Sequence, residues 1–423
     1  MLKTAATLYR YHHRILLAVM AAGLNLSSHA NYFLKCLQTL PHQYTSLDTN
    51  RLTVAYFCVA GLDVLGRLDA LDAPRIIRWV YAQQVLPTAA GAPGGFRGGP
   101  FLGGEFCGRP ANSSFDSGHI AMTYTALALL AMLGDDLSAV DRTAALALVS
   151  SLQDSSGAFS STAGGESDMR FVFCAAAICT MLGDPGCSSI DVDAATSYIL
   201  ASQNYDGGIG LGPGMESHGG SIYTAVAALT LLGTLPRLPR ANELVHWCIH
   251  RQLGGYQGRP NKDEDTCYSF WLGASLELLG AGGMSDRVAI GDFASRCEFK
   301  HGGIGKCAGN HPDVLHSYYA LCGLSLAGWE GLSRLDARLG ITRRASISAG
   351  WLPMPNADSA CAECDEAQSH AMEDLSLRHA SDVKVALEQP TAGYAPPSFI
   401  ESSFRTKVEY ERWVASGRAL PSQ

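Results

Sequence analysis

Five apolar stretches of this chain close in the same way, and their recurrence constrains the fold more than any other feature. "HIAMTYTALALLAMLG", "DMRFVFCAAAICTMLG", "HGGSIYTAVAALTLLG", "DTCYSFWLGASLELLG" and "DVLHSYYALCGLSLAG" end on Gly134, Gly183, Gly233, Gly280 and Gly328, at spacings of 49, 50, 47 and 48 residues. A period of that size predicts one helix pair per repeat. Upstream of each helix lies a glycine-led element, at Gly94, Gly157, Gly207, Gly254 and Gly302, where the chain needs a tight turn between helices. Between these elements run second helices such as "DVDAATSYILASQ" and "ANELVHWCIHRQL", which mix charged and apolar residues at helical spacing. Each repeat therefore pairs a helix that is apolar nearly all round with one that keeps a wet face. Such pairs stack as an open solenoid or close on themselves. The small residues of "CAAAIC" and "TAVAAL" allow close approach around a cavity and favour a closed, all-α α/α barrel.

The register of the repeats gathers chemistry at one end. Fifteen positions before each closing glycine stand His119, Asp168, His218, Asp265 and Asp313. Parallel inner helices bring these starts to a single mouth. Aspartate there is explained equally well as a helix cap, whereas histidine is the poorer cap, so His119 and His218 point towards function. Asp265, Cys267 and His316 offer carboxylate, thiolate and imidazole, a three-ligand set for zinc with a fourth position open. Spacing alone leaves the plainer alternative of a buried Cys267 and a core His316. A second group consists of His218, Arg259, Lys262 and Tyr268, with Lys306 one repeat later. Guanidinium, ammonium and hydroxyl donors beside helix N-termini suit a phosphate or diphosphate, the alternative being solvated surface charge.

Composition sharpens that reading. A net charge of -8 and the lack of a basic block argue against nucleic acid as a partner, so an anionic substrate needs a local basic cluster of this kind. Thirteen cysteines spread through apolar helices suit a reducing, cytoplasmic compartment better than a disulfide framework. The apolar run Ile15–Leu26 follows basic residues and superficially suits a targeting peptide, but it is too short for a membrane span and predicts no stable membrane insertion.

"SLDTNRLTVAYFCVAGLDVLG", "DSGHIAMTYTALALLAMLGDDLS", "DMRFVFCAAAICTMLGD", "ESHGGSIYTAVAALTLLG", "GRPNKDEDTCYSFW" and "NHPDVLHSYYALCGLSL" together resemble the β subunits of protein prenyltransferases, and most of all those of type I geranylgeranyltransferases. The resemblance runs in order over about residues 30 to 330. It implies an α6-α6 barrel, an obligate α subunit and one zinc ion on Asp265, Cys267 and His316. It further implies transfer of a geranylgeranyl group from geranylgeranyl diphosphate to the cysteine of C-terminal CaaX proteins, such as Rho/Rac-type small GTPases, as a thioether. His218, Arg259, Lys262 and Tyr268 are then the diphosphate donors. Arg170, Phe171, Trp271, His119 and Ala121 lie beside the isoprenoid or the peptide.

Three more positions carry expectations from the same resemblance. Thr53 stands where farnesyl-transferring relatives have a tryptophan at the barrel floor. Leu315, with Thr53 and Phe57 near it, is expected to meet the last CaaX side chain, which suits leucine. Lys306 replaces an aspartate that helps hold magnesium in farnesyltransferases, so magnesium is not expected to be required. Alternatives are a farnesyltransferase or Rab-type geranylgeranyltransferase β subunit, or a catalytically inactive helical scaffold. A terpene cyclase is disfavoured because no Asp-x-Asp-Asp motif occurs, "DEDT" at Asp263 ending in threonine. The expected organisation is an N-terminal extension over 1–29, the barrel over 30–340, and a polar, disordered tail over 341–423, whose Cys361 and Cys364 form an incidental C-x-x-C.

Overall fold

The computed structural model describes residues 24–87, 93–100 and 117–354; the extension through residue 23 and the acidic tail from residue 355, with Cys361 and Cys364, lie outside the described residues. Twelve of the described helices alternate between two layers. The outer layer holds α1 (Leu26–Gln38), α3 (Ala73–Tyr81), α5 (Arg142–Ser151), α7 (Val192–Ala201), α9 (Ala241–Ile249) and α11 (Arg287–Arg296). The inner layer holds α2 (Arg51–Val64), α4 (Ile120–Met132), α6 (Met169–Met181), α8 (Gly219–Leu231), α10 (Tyr268–Leu278) and α12 (Val314–Leu326). Each inner helix packs on the next, and α12 packs back on α2, so the ring is closed. Ala175, Ala176, Ala177 and Ala225, Ala227, Ala228 are wholly buried, which lets α6 and α8 sit close together.

Five inner helices share the period of the closing glycines, and α2 is the sixth. It also ends in a left-handed glycine, Gly66 (φ +65), as α4 does at Gly134 (φ +81). In both turns the residue after the glycine donates back to the carbonyl five residues earlier, Arg67 to Leu62 and Asp135 to Leu130, which satisfies carbonyls the helix leaves open. Gly66 precedes Gly134 by 68 residues because a glycine-rich insertion separates the first two repeats, and that hides the period.

At the mouth, a regular ladder ties each inner helix start to the loop before the next inner helix. Leu52 N–H donates to Gly98 O, Ile120 to Ser161 O, Met169 to Leu211 O, Gly219 to Gly258 O and Thr266 to Lys306 O, at 2.8–3.0 Å. The last rung has a different acceptor. Val314 N–H donates to the Tyr44 hydroxyl (3.0 Å), which stands in for a backbone carbonyl where the last repeat meets the first. The outer layer closes at the same seam. Gly302 (φ +92) lies so near α1 that a Cβ there would sit 2.0 Å from Ser28 O. His29, buried beside it, accepts the Gly303 N–H on Nδ1 (3.0 Å).

The opposite end of the barrel is sealed by the segment after α12, and folded structure continues past the expected boundary at residue 340. Strand β3 (Leu335–Asp336) pairs antiparallel with β4 (Ile341–Thr342), followed by the short helix α13 (Arg343–Ser348). The loop between the strands reaches into the ring, where Tyr56 donates to Gly340 O (3.0 Å), Tyr124 to Leu339 O (2.7 Å) and Tyr318 to Gly340 O. Arg344 binds Asp63 Oδ1 (2.9 Å) and Met132 O (2.8 Å), and Trp351 Nε1 donates to Met181 O (3.1 Å). The segment thus satisfies carbonyls at the ends of α4 and α6 and the buried carboxylate of α2. The boundary at residue 340 follows the end of the resemblance, whereas the partners of the residues beyond it lie far away in sequence. All ten cysteines among the described residues are free, and no described helix is long and apolar enough to cross a membrane.

The seam is testable through Gly302. Gly302→Ala meets both a left-handed φ and the Ser28 backbone, and should lower unfolding stability by about 3 kcal/mol or more. Gly309→Ala, with φ +85 but nothing within 4 Å, should lose only about 1–2 kcal/mol. Equal losses in urea unfolding at the two sites would show that the Ser28 contact contributes nothing.

Candidate active site

Two side-chain groups meet at the mouth, and α10 carries part of each. Its helical run begins at Tyr268, later than the cap at Asp265 suggests, because residues 265–267 form a turn held by other bonds. Asp265 Oδ1 accepts the Cys267 N–H (3.0 Å), and Thr266 Oγ1 donates to Gly305 O (2.9 Å). In the next repeat Asp313 caps α12, accepting the His316 N–H on Oδ1 (2.9 Å), while its Oδ2 takes the His316 Nδ1–H at 2.6 Å. That bond fixes the tautomer and leaves Nε2 facing Asp265 Oδ1 at 3.4 Å.

Ligand atoms of Asp265, Cys267 and His316 all lie within 4.8 Å of one another. Burial opposes charge on the His316 imidazole, yet the Asp265 and Asp313 carboxylates outweigh it and raise its pKa to about 9. Positive charge is therefore favoured at this point. The Cys267 thiol is pushed well up, first by burial and then by the Asp265 carboxylate. Such a thiol becomes a thiolate only beside a strong cation. Carboxylate, thiol and an oriented imidazole, with a second carboxylate behind the imidazole, fit a zinc ion with one tetrahedral position left over. Lys306 Nζ stands at the edge of the group, 3.8 Å from Asp265 Oδ2.

The second group centres on Tyr268, whose hydroxyl lies 2.8 Å from His218 Nε2. His218 Nδ1 accepts the Gly220 N–H (3.0 Å), so the ring proton must sit on Nε2 and be donated to Tyr268. Burial first, then the positive charge of Arg259, holds the imidazole below its ordinary pKa and keeps it neutral. The Tyr268 hydroxyl, raised mainly by burial, keeps its proton free to donate onward. Arg259 is half-buried and ion-paired with Glu216, while Lys262 is exposed, with its backbone N–H on the Arg259 carbonyl (3.4 Å).

The histidines at the helix starts correct one expectation. His119 and His218 are caps, each accepting the N–H two residues on with Nδ1, at 3.1 and 3.0 Å. An unprotonated ring nitrogen performs that task as an aspartate oxygen does, and the other nitrogen remains available. Asp168 caps α6 and also grips Arg170, accepting from its Nη2 (2.6 Å). Arg170 lies over the Phe171 ring (5.1 Å), against which His119 sets its edge.

The interior wall is aromatic. Tyr319 contacts Trp271 (ring centroids 4.2 Å) and Phe57 (5.5 Å). Leu315 and Ala121 are half-buried in the first turns of α12 and α4. Thr53 is in the first turn of α2, where its hydroxyl touches Met122 Sδ (3.4 Å). It is thus part of the wall near the mouth, and the floor is made by Leu339 and Gly340 instead. Asp313 was legible only as a cap, although its i, i+3 spacing to His316 signals a second contact within one helical turn. Glu216 carried no signal.

The prenyltransferase alpha-alpha toroid domain matches residues 24–341. The geranylgeranyl transferase type-1 subunit beta of Arabidopsis thaliana is 40% identical over 340 residues, covering 76% of this chain and 90% of the relative. That of Dictyostelium discoideum is 36% identical over 345 residues, covering 77% and 97%. Among solved structures, the chain is similar to Candida albicans protein geranylgeranyltransferase-I complexed with GGPP, with a TM-score of 0.70 and 25% identity, covering 77% of this chain and 98% of that one.

Asp313→Asn separates the two tasks of that residue, since the amide oxygen can still cap α12 but its nitrogen cannot accept from His316 Nδ1. Zinc affinity, measured by competition with a chromogenic chelator, should fall roughly 10- to 100-fold with little loss of helix content. Unchanged affinity would mean that His316 needs no orienting partner.

Proposed function

The chain belongs to the prenyltransferase family of alpha-alpha toroids, and from that premise we propose that it is the catalytic β subunit of a type I protein geranylgeranyltransferase. The observation that carries this reading is the adjacency of Cys267 and Tyr268, which joins a zinc-type donor set to an anion-binding set on one helix start. Similarity to two type-1 β subunits supports the geranylgeranyl assignment, and the complex with GGPP of the Candida albicans relative supports the donor. An α subunit completes the enzyme, CaaX proteins such as Rho/Rac-type GTPases accept the lipid, and the cytoplasm is where the reaction occurs.

Zinc held by Asp265, Cys267 and His316 would supply a Lewis-acid position at which a substrate thiol stays deprotonated at neutral pH. The residues of the chain do the rest. Arg259 and Lys262 hold the diphosphate, and His218 orients the Tyr268 hydroxyl towards charge that builds on the leaving oxygen. The substrate sulfur forms its bond to the first isoprenoid carbon as the carbon–oxygen bond breaks, and diphosphate departs. Trp271, Phe57 and Tyr319 exclude water from the chain of isoprene units, while Arg170, Phe171, His119 and Ala121 border it at the mouth. Leu315, with Thr53 and Phe57, receives the terminal side chain. Lys306 supplies fixed positive charge near the leaving group, so magnesium is dispensable.

Coexpression with an α subunit tests the reading. The heterodimer should transfer geranylgeranyl to peptides ending in leucine in magnesium-free buffer containing zinc. Cys267→Ala should retain isoprenoid diphosphate binding but lose zinc and turnover. Wild-type zinc content with normal turnover in that variant would overturn the assignment of the metal site.

Chain length gives a second test. Thr53→Trp adds a large side chain beside Met122 and should narrow the space along that wall for the longer isoprenoid, whose extra burial otherwise contributes about 0.8 kcal/mol per methylene-sized group. Competition between the two diphosphates should then shift towards farnesyl by tenfold or more, on the order of 1.4 kcal/mol. An unchanged preference would place the length gauge elsewhere, with the floor at Gly340 as the next site to alter.

A further inference from the structure

Arg259 is not free at the mouth. Its Nη1 is ion-paired with Glu216 Oε2, from the loop that leads into α8. Both groups act on the neighbouring His218 imidazole, Arg259 lowering its pKa and Glu216 raising it, so the carboxylate stands within the basic group itself. A carboxylate there occupies the guanidinium that an anion would otherwise take.

Its setting differs from that of the other arginine at the mouth. Arg170 is gripped by both oxygens of the buried Asp168 and by Glu166, a chelate that fixes it in place. Glu216 has a side chain 61% exposed, and it makes no other hydrogen bond among the described residues. An exposed pair of this kind is weak and opens at little cost. A diphosphate carries more charge than one carboxylate and offers the same guanidinium a two-point partner, so it wins the exchange.

We propose that Glu216 is a positioning residue for the leaving group: it holds the Arg259 fork at the mouth until a diphosphate displaces it, and its return to Arg259 loosens the product. This rests on the reading of the site as a prenyl diphosphate site. Glu216 therefore lowers ground-state affinity for diphosphate while keeping Arg259 from collapsing onto other acceptors.

The test uses the αβ heterodimer and inorganic diphosphate as the probe, measured by competition against a fluorescent isoprenoid diphosphate analogue. Glu216→Gln should bind inorganic diphosphate about two- to fivefold more tightly, the range expected from releasing one exposed ion pair. Glu216→Asp, which keeps the charge, should stay nearer wild type. In an Arg259→Gln background the Glu216→Gln gain should vanish. Equal or weaker binding in Glu216→Gln, with an unchanged melting temperature, overturns the proposal. So does a gain that persists without Arg259, because the effect is then general repulsion. The probe needs neither peptide nor turnover. If the wild type binds diphosphate but transfers no lipid, the reading of function fails and not this inference.

Discussion

Six parallel inner helices bring six sets of unsatisfied N–H groups to one mouth, and the rest of the site follows from how those groups are met. Backbone carbonyls from the adjoining repeat take one N–H of each of five starts, and Tyr44 takes the sixth. Side chains of His119, Asp168, His218 and Asp313 take others. Each of those caps has a second polar atom. His218 turns its other nitrogen to Tyr268, Asp313 its other oxygen to His316, and Asp168 both oxygens to Arg170. A requirement of helix termination thus becomes a ring of oriented polar groups, and each is anchored by a bond that would be costly to leave unmade.

The opposite end faces the complementary demand. Carbonyls at the ends of α4 and α6 take donors from Arg344 and Trp351, and the buried tyrosines Tyr56, Tyr124 and Tyr318 donate to the backbone at 339–340. The barrel is therefore blocked at that end, and the polar ring lies at the other. On the proposed reading, a long apolar group enters past the polar ring and leaves its charged end there. That asymmetry suits an amphiphilic substrate whose reaction occurs at its charged end, and it needs no moving part.

Periodicity made most of this architecture legible, because closing glycines and apolar inner faces repeat in sequence as they do in space. The first repeat escaped since its insertion shifts Gly66 out of period. The candidate metal set could be read from residue types, as Asp265 and Cys267 lie on one turn and His316 holds the equivalent turn of the next repeat. Pairings between loops could not. Nothing local in "GMESHGG" says that Glu216 reaches Arg259, or in "PHQYTS" that Tyr44 reaches Val314. Depth was misjudged for a related reason. Sequence gives the position of Thr53 along α2, whereas the floor is set by residues 339–340, which fold back from beyond the last repeat.

The start of α10 is the point where these constraints meet. Asp265 and Cys267 face the loop and helix of the repeat that follows, through Lys306 and His316, while Tyr268 faces His218 of the repeat before. One short turn therefore fixes the distance between the candidate metal ligands and the candidate anion donors, with neighbouring repeats bracing it on both sides. Reacting groups held this way need little reorganisation, which is how a rigid scaffold lowers a bimolecular barrier. Changes in the flanking repeats, at Asp313 on one side and Glu216 on the other, act on one half at a time and leave the turn itself unaltered.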